Sequence, residues 1–229
     1  SNDLIKVVEK WTKHLPIDVV RLATNLGLGR ALNIGLEYCR YSLVARMDTD
    51  DICVPERFEL QLLEFLSSDD LSISGGYIKE FSGSIENVLS ERRVPLNHSN
   101  IINGSAKLNP FNHMTVMYKK EHVVEAGGYQ HLPWMEDWYL WLRMLSKGFK
   151  ASNLNEYLVY ARTGKAMISR RSGTAYIKSE WLMTRIKVRL HIATWYQAFA
   201  IFLYRSFPRI APNWLLLRLY IYSRNNNAK

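Results

Sequence analysis

The chain has 229 residues, 48% apolar and 22% charged, enough for one well-buried domain plus an extension and too apolar for a disordered chain. Its two cysteines, Cys39 and Cys53, form no disulfide framework, and no Cys/His spacing suits zinc, so reduced thiols are expected. A net charge of +9 points to an anionic partner: nucleic acid, anionic lipid or a phosphorylated substrate.

In chain order, residues 1–14 read as a helix, with Asn2 or Asp3 as cap and Leu4, Val7, Val8 and Trp11 at helical spacing. Pro16 ends it, and Ile17 to Ala23 is an apolar strand candidate. Asn25-Leu26-Gly27-Leu28-Gly29 turns into a helix over 30–39, with Leu32, Leu36 and Cys39 on one face. An apolar strand over 42–47 follows. Pro55 then opens a helix to about Leu66, with Phe58, Leu62 and Phe65 expected inward. Such alternation of helix and strand argues for a parallel sheet covered on both faces. Ile73 to Phe81 is a further strand, 82–112 a long polar loop with short helical pieces, and 115–118 a short strand. A helix starts near Glu136 and closes at Gly148, and Tyr157 to Ala161 is a last strand. From Thr174 onward the pattern is helical, broken by Pro208 and Pro212.

Asp48-Thr49-Asp50-Asp51 places three carboxylates directly after the apolar run at 41–45. Ligands of α/β sheets bind beyond the carboxyl ends of strands, and crowded carboxylates there repel one another unless a cation neutralises them. Taken alone, Asp-x-Asp reads as a solvated acidic turn. Its flanks change the reading. Asn25-x-Gly27-x-Gly29-x-Ala31-Leu32-Asn33-x-Gly35-Leu36 precedes it, Pro55-Glu56-Arg57-Phe58 follows it, and Trp134-Met135-Glu136-Asp137-Trp138 lies further on.

Over about residues 15–165 the chain resembles the bacterial family 2 glycosyltransferases of GT-A fold, particularly those that build exopolysaccharide and O-antigen chains. The resemblance implies an α/β fold with a mixed sheet and helices on both faces over 1–170, followed by a C-terminal helical extension over 171–229. It implies Asp50 as ligand of Mg2+ or Mn2+, with Asp48 on the ribose side or in the metal's shell. Asn25 and Asp51 join the donor side, although Asp51 is as readily a cap for the next segment. Asp137 becomes the base that takes the proton of an attacking hydroxyl in an inverting transfer, with Glu136 orienting it or touching the acceptor. Without the upstream motif, Glu136-Asp137 would read as an acidic first turn facing the helix dipole. Trp134, ahead of the helix, is the aromatic expected to stay exposed for a sugar ring, the others being core. His113 falls in the acceptor-side loop, where a satisfied loop histidine is the plainer reading. Arg57 and Gln61 read as structural, Arg57 as a clamp on the acidic loop. Gly27-x-Gly29 is too sparse for a dinucleotide fingerprint.

The family pattern begins with a strand–helix–strand unit, roughly 30–45 residues, that this sequence does not show. A shortened domain with weak or no activity is the resulting expectation, and a non-catalytic remnant or membrane-peripheral binding module is the alternative function. A metal-dependent nucleotidyltransferase is a third. Between Arg185 and Arg224 lie six arginines, one lysine, many aromatics and no acidic residue. This fits an anionic membrane surface better than a nucleic-acid groove. Its longest uncharged stretch, Ile192 to Tyr204, has 13 residues, short of the roughly 20 a spanning helix needs. The expected partners are therefore a nucleotide-sugar, above all a UDP-sugar, a glycan or lipid-linked acceptor, and the inner face of the bacterial plasma membrane; nucleic acid is not expected.

Overall fold

Strand β3 (Leu71–Phe81) is buried along all but one of its 11 residues, and the sheet is assembled around it. The structure is a computed structural model that describes residues 2–163 and 173–207. One edge of β3 pairs in parallel with β6 (Lys150–Arg162) over its whole length. Its other edge is shared by β5 (Met117–Lys119), paired at Ile73 and Ser74, and by β4 (Val88–Arg92), paired from Ile78 to Phe81, both antiparallel. Beyond β5 lies β1 (Leu43–Ala45), and beyond β6 lies β2 (Ile52–Cys53), again antiparallel. The order is β1-β5-β3-β6-β2.

The sheet is thus mixed, and only the β3–β6 pair bears out the parallel arrangement expected from alternation. Antiparallel neighbours need no long crossover. β4 returns along β3 through a turn in which Gly83 takes φ 73° and Ser82 N–H donates to Asn87 O at 3.2 Å. Residues 82–112, expected as a long loop with short helical pieces, hold strand β4 and one such piece, helix α4 (His98–Ser105), which Asn97 caps through the Asn100 N–H. Ile17 to Ala23 does not form a strand: it is exposed, with no sheet partner among the described residues.

Helix α1 (Asn2–Trp11) leaves Leu4, Val7 and Trp11 exposed. Helix α2 (Leu28–Tyr38) buries Gly29 and Leu36. In α3 (Arg57–Ser67) the buried face is Arg57, Gln61 and Phe65, while Phe58 and Leu62 are about half exposed (51% and 45%), contrary to expectation. The reason is polar. Gln61 Nε2 donates to the carbonyls of Thr115 (3.0 Å) and Ser74 (3.2 Å), and an apolar side chain would leave those buried acceptors unpaired. Helix α5 (Lys120–Glu125) leads to α6 (Glu136–Ser146), whose Trp141 is fully buried against Phe111, ring centroids 5.6 Å apart. Helices α7 (Gly173–Arg189) and α8 (Trp195–Ser206) form a hairpin against α6. Thr194 and Gln197 make a capping box at the start of α8. Pro208, Pro212 and the distal part of the basic tract lie outside the described residues.

Candidate active site

The three carboxylates of the acidic turn have three different sets of partners. Arg46, next after β1 and almost buried, aims both terminal nitrogens at the two oxygens of Asp48, Nη1 to Oδ2 at 2.6 Å. Residues two apart on an extended chain share a face, which makes this bidentate pair possible. Asp51 points the other way: its Oδ1 accepts the backbone N–H of Arg162, at the end of β6, at 2.7 Å. Its Oδ2 is sealed without a partner, and burial pushes the carboxyl up to about 6. Asp50 is exposed, and its carboxylate meets no donor among the described residues; only its carbonyl is held, by Arg162 Nε at 3.2 Å.

Arg57 does not reach a carboxylate. Fully buried, it donates to the carbonyl of Arg46 at 2.8 Å and to Gln61 Oε1 at 3.2 Å. The clamp expected of it acts on the backbone, and Arg46 makes the bidentate pair. Burial lowers the Arg57 guanidinium to about 10, which still leaves it cationic at neutral pH.

The other half of the site is the loop 109–113 and the first turn of α6. Arg92 of β4 holds the loop by donating to Asn109 O and Asn112 Oδ1, both at 2.7 Å. Asn109 Nδ2 then donates to Asp137 Oδ2 at 2.6 Å. This fixes one carboxylate oxygen of Asp137 and leaves the other without a protein partner among the described residues. Glu136 is half-buried, and desolvation raises its carboxyl above the usual carboxylate range. It abuts the start of α2, where a Cβ on Gly29 would lie 3.4 Å from Glu136 Cγ. Asn25 stands in the exposed turn before α2, its Oδ1 accepting from Gly27 N–H at 2.9 Å; Gly27 there takes φ 80°. Trp134 is 43% exposed, with φ 65°, and its ring tilts against Tyr176 at 5.8 Å. Trp138, Tyr139 and Trp141 are core.

His113 joins the two halves. Burial pushes its imidazole down to about 4, while the charges of Asp137, Arg46 and Asp48 all act on its ring. Its Nε2 lies 3.1 Å from the Tyr129 hydroxyl. Tyr129 is held in turn by Asn33 of α2, whose amide bonds both the carbonyl (2.8 Å) and the N–H (2.7 Å) of Tyr129.

Sequence reasoning passed over Arg46, Asn109, Tyr129 and Asn33 as site-forming residues. The spacing of Arg46 and Asp48 was a readable signal; Tyr129 carries none, because only the fold brings it to His113. Among the described residues no three His, Cys, Asp or Glu side chains close into a metal cage. A hard cation carried chiefly by substrate phosphates and waters needs only one or two protein carboxylates, and Asp50, unengaged among the described residues, is the candidate here.

Residues 1–127 match the family described as Glycosyl transferase family 2. The amylovoran biosynthesis glycosyltransferase AmsE of Erwinia amylovora is 42% identical over 220 residues, 96% of this chain and 82% of that protein. The UDP-Gal:alpha-D-GlcNAc-diphosphoundecaprenol beta-1,3-galactosyltransferase of Escherichia coli is 35% identical, covering 98% of this chain and 80% of that one. Among solved structures, S. aureus TarS 1-349 in complex with UDP-GlcNAc superposes with a TM-score of 0.61 at 19% identity, over 88% of this chain and 59% of that chain. The chain belongs to glycosyl transferase family 2 and has its GT-A fold.

Proposed function

We propose that this chain is an inverting, metal-dependent glycosyltransferase. In this reading it moves a sugar from a nucleoside diphosphate, UDP first of all, to a lipid-linked acceptor of a bacterial exopolysaccharide, capsule or O-antigen. The observation that carries it is the presence of an exposed carboxylate in the acidic turn, Asp50, unengaged among the described residues, and an oriented one, Asp137, with the charges of Asp48 and Asp137 both acting on His113. The family and the names of the relatives support the chemistry and the pathway class.

Asp50 and Asp48 would hold Mg2+ or Mn2+, which when bound neutralises the diphosphate charge that builds up as the anomeric C–O bond breaks. Asp137 faces the acceptor. Its free oxygen takes the proton as the acceptor oxygen forms its bond to the anomeric carbon, and the electron pair of the broken bond leaves with the nucleoside diphosphate. Asn109 keeps that oxygen aimed. Asn25 and Asp51 frame the donor side, Glu136 orients Asp137 or touches the acceptor, and Trp134 offers a ring to the acceptor.

The hairpin of α7 and α8 supports the membrane part of the reading. Tyr196, Phe199 and Tyr204 are exposed along α8 and Phe207 just after it, in a stretch of sequence without acidic residues, as suits an interfacial helix. No helix among the described residues is long and apolar enough to cross a membrane. The decisive experiment measures Mn2+-dependent turnover of UDP-galactose with and without acceptor. Asp50→Ala is expected to abolish turnover. Asp137→Asn is expected to keep donor binding and lose about 10²–10⁴-fold in transfer. Wild-type rates in both variants would overturn the proposal.

A further inference from the structure

Trp134 occupies a backbone position that tryptophan seldom takes. The Met135 N–H donates to the Leu132 carbonyl at 2.9 Å, closing a turn with Pro133 second and Trp134 third. At that third place φ is 65°, the left-handed region where glycine or asparagine is usual and a bulky side chain is strained. Leu132 and Met135 on either side are each 2% exposed, yet Trp134 is 43% exposed. The turn thus holds an indole at the surface directly ahead of Glu136-Asp137, at a backbone cost that glycine would avoid. Such strain persists only where the surroundings impose it.

The surroundings here are α7. Its Tyr176 is 5% exposed and packs in one cluster with Leu132, Met135 and Trp138. The Tyr176 ring lies 5.8 Å from that of Trp134, with the planes 37° apart. Tyr176 thereby backs the indole, and α7 is itself well fastened. Glu180, one turn beyond Tyr176, accepts from Arg205 Nε of α8 at both oxygens, at 2.8 and 2.9 Å. The same guanidinium lies 4.7 Å from the Trp138 ring of α6 and donates from Nη1 to the Lys107 carbonyl at 3.3 Å. Trp138 Nε1–H donates to the Ser105 carbonyl at 2.9 Å. The hairpin is therefore tied to α6 just after Asp137, and to the chain just before Asn109, which holds Asp137. A rigid, half-exposed indole in such a frame offers a flat apolar face of the kind on which a pyranose ring stacks.

We propose that Tyr176 is a positioning residue for sugar recognition: its ring sets the orientation of Trp134, and a pyranose of the acceptor stacks on Trp134, so that the C-terminal hairpin is part of the acceptor site. That the pyranose belongs to the acceptor rests on the glycosyl-transfer reading; the sugar contact and its dependence on Tyr176 do not.

The test follows saturation transfer from the protein to the methyl glycosides of glucose, galactose and N-acetylglucosamine. At least one is expected to bind the wild type, and Trp134→Gly is expected to abolish that binding with a melting temperature no lower than wild type. Tyr176→Phe, which keeps the ring, is expected to bind as the wild type does. Tyr176→Leu and Tyr176→Met, which fill the core without a ring, are expected to bind about fivefold more weakly. Wild-type affinity in the two ringless variants, or equal weakening in Tyr176→Phe, would overturn the positioning role. No glycoside binding in the wild type, or a marked loss of stability in Trp134→Gly, would overturn the sugar contact. Binding is expected to persist in the presence of UDP-galactose and Mn2+, and displacement would put the pyranose on the donor side and refute the acceptor assignment. A wild type that binds a glycoside through Trp134 yet hydrolyses no UDP-sugar would sink the glycosyl-transfer reading alone, so the two failures are told apart.

Discussion

Asp48, Asp50 and Asp51 are chemically identical side chains with different prospects on substitution. Asp51 uses one oxygen to accept the Arg162 N–H, and an amide oxygen can do the same. Asp51→Asn should therefore leave turnover within about twofold of wild type, while Asp51→Ala should lower the urea midpoint by the equivalent of about 1 kcal/mol for one lost hydrogen bond. Asn109→Ala frees Asp137 to rotate. Its expected effect is a fall in kcat of about tenfold with donor KM unchanged, measured under saturating acceptor. The carboxylates themselves were legible in the sequence, because charges after an apolar run, with a Pro-led helix behind them, form a local pattern. Their partners were less so. Asn109 and Asp137 are 28 residues apart, and Arg162 and Asp51 are 111 apart, and no local spacing encodes such meetings.

At the level of elements, the helices could be placed from their periodicity, but which way neighbouring strands run could not, since apolar runs look alike in either direction. The face of α3 was misjudged because Phe58 and Leu62 looked like core, whereas the buried strands needed donors from Arg57 and Gln61. The junction of α6, α7 and α8 gives a pH prediction. Lys187 of α7 is 1% exposed, with its ammonium 4.2 Å from the Trp138 ring of α6. Arg205 of α8 approaches the same ring at 4.7 Å and pairs with Glu180 of α7, Nη2 to Oε1 at 2.7 Å. Burial, and then the Arg205 charge, lower Lys187 from 10.5 to about 7. Between pH 7 and 10.5 the unfolded chain thus holds a proton that the native protein has shed. Stability should rise with pH through that window, by no more than about 1.4 kcal/mol per pH unit from this group. Lys187→Met should flatten the rise and raise the thermal midpoint at pH 7. A decline of stability with pH across this window, unchanged in Lys187→Met, would contradict the assignment.

Over the whole molecule the net charge is +9, and the hairpin of α7 and α8 carries Arg185, Arg189 and Arg205. Binding to vesicles containing anionic phospholipid is expected to weaken as salt is raised, because exposed charge is screened within about 10 Å at 0.1 M. Replacing Tyr196 and Tyr204 by serine should reduce it about tenfold without changing the melting temperature, read by vesicle co-sedimentation. The basic composition and aromatic tract were legible from the sequence; that Glu180 and Arg205 would pair inside the hairpin rather than face solvent was not. One long-range link carries force between distant parts of the sequence. Asn33 grips Tyr129 by both its N–H and its carbonyl, and Gly128 beside it leaves no room for a side chain, since a Cβ there would stand 2.7 Å from Asn33 Oδ1. Tyr129 in turn meets His113 Nε2 at 3.1 Å. A substitution at Asn33 would therefore reach the His113 ring through Tyr129, although no hydrogen bond joins Asn33 to His113 among the described residues, so two positions 80 residues apart in the chain are constrained as one unit.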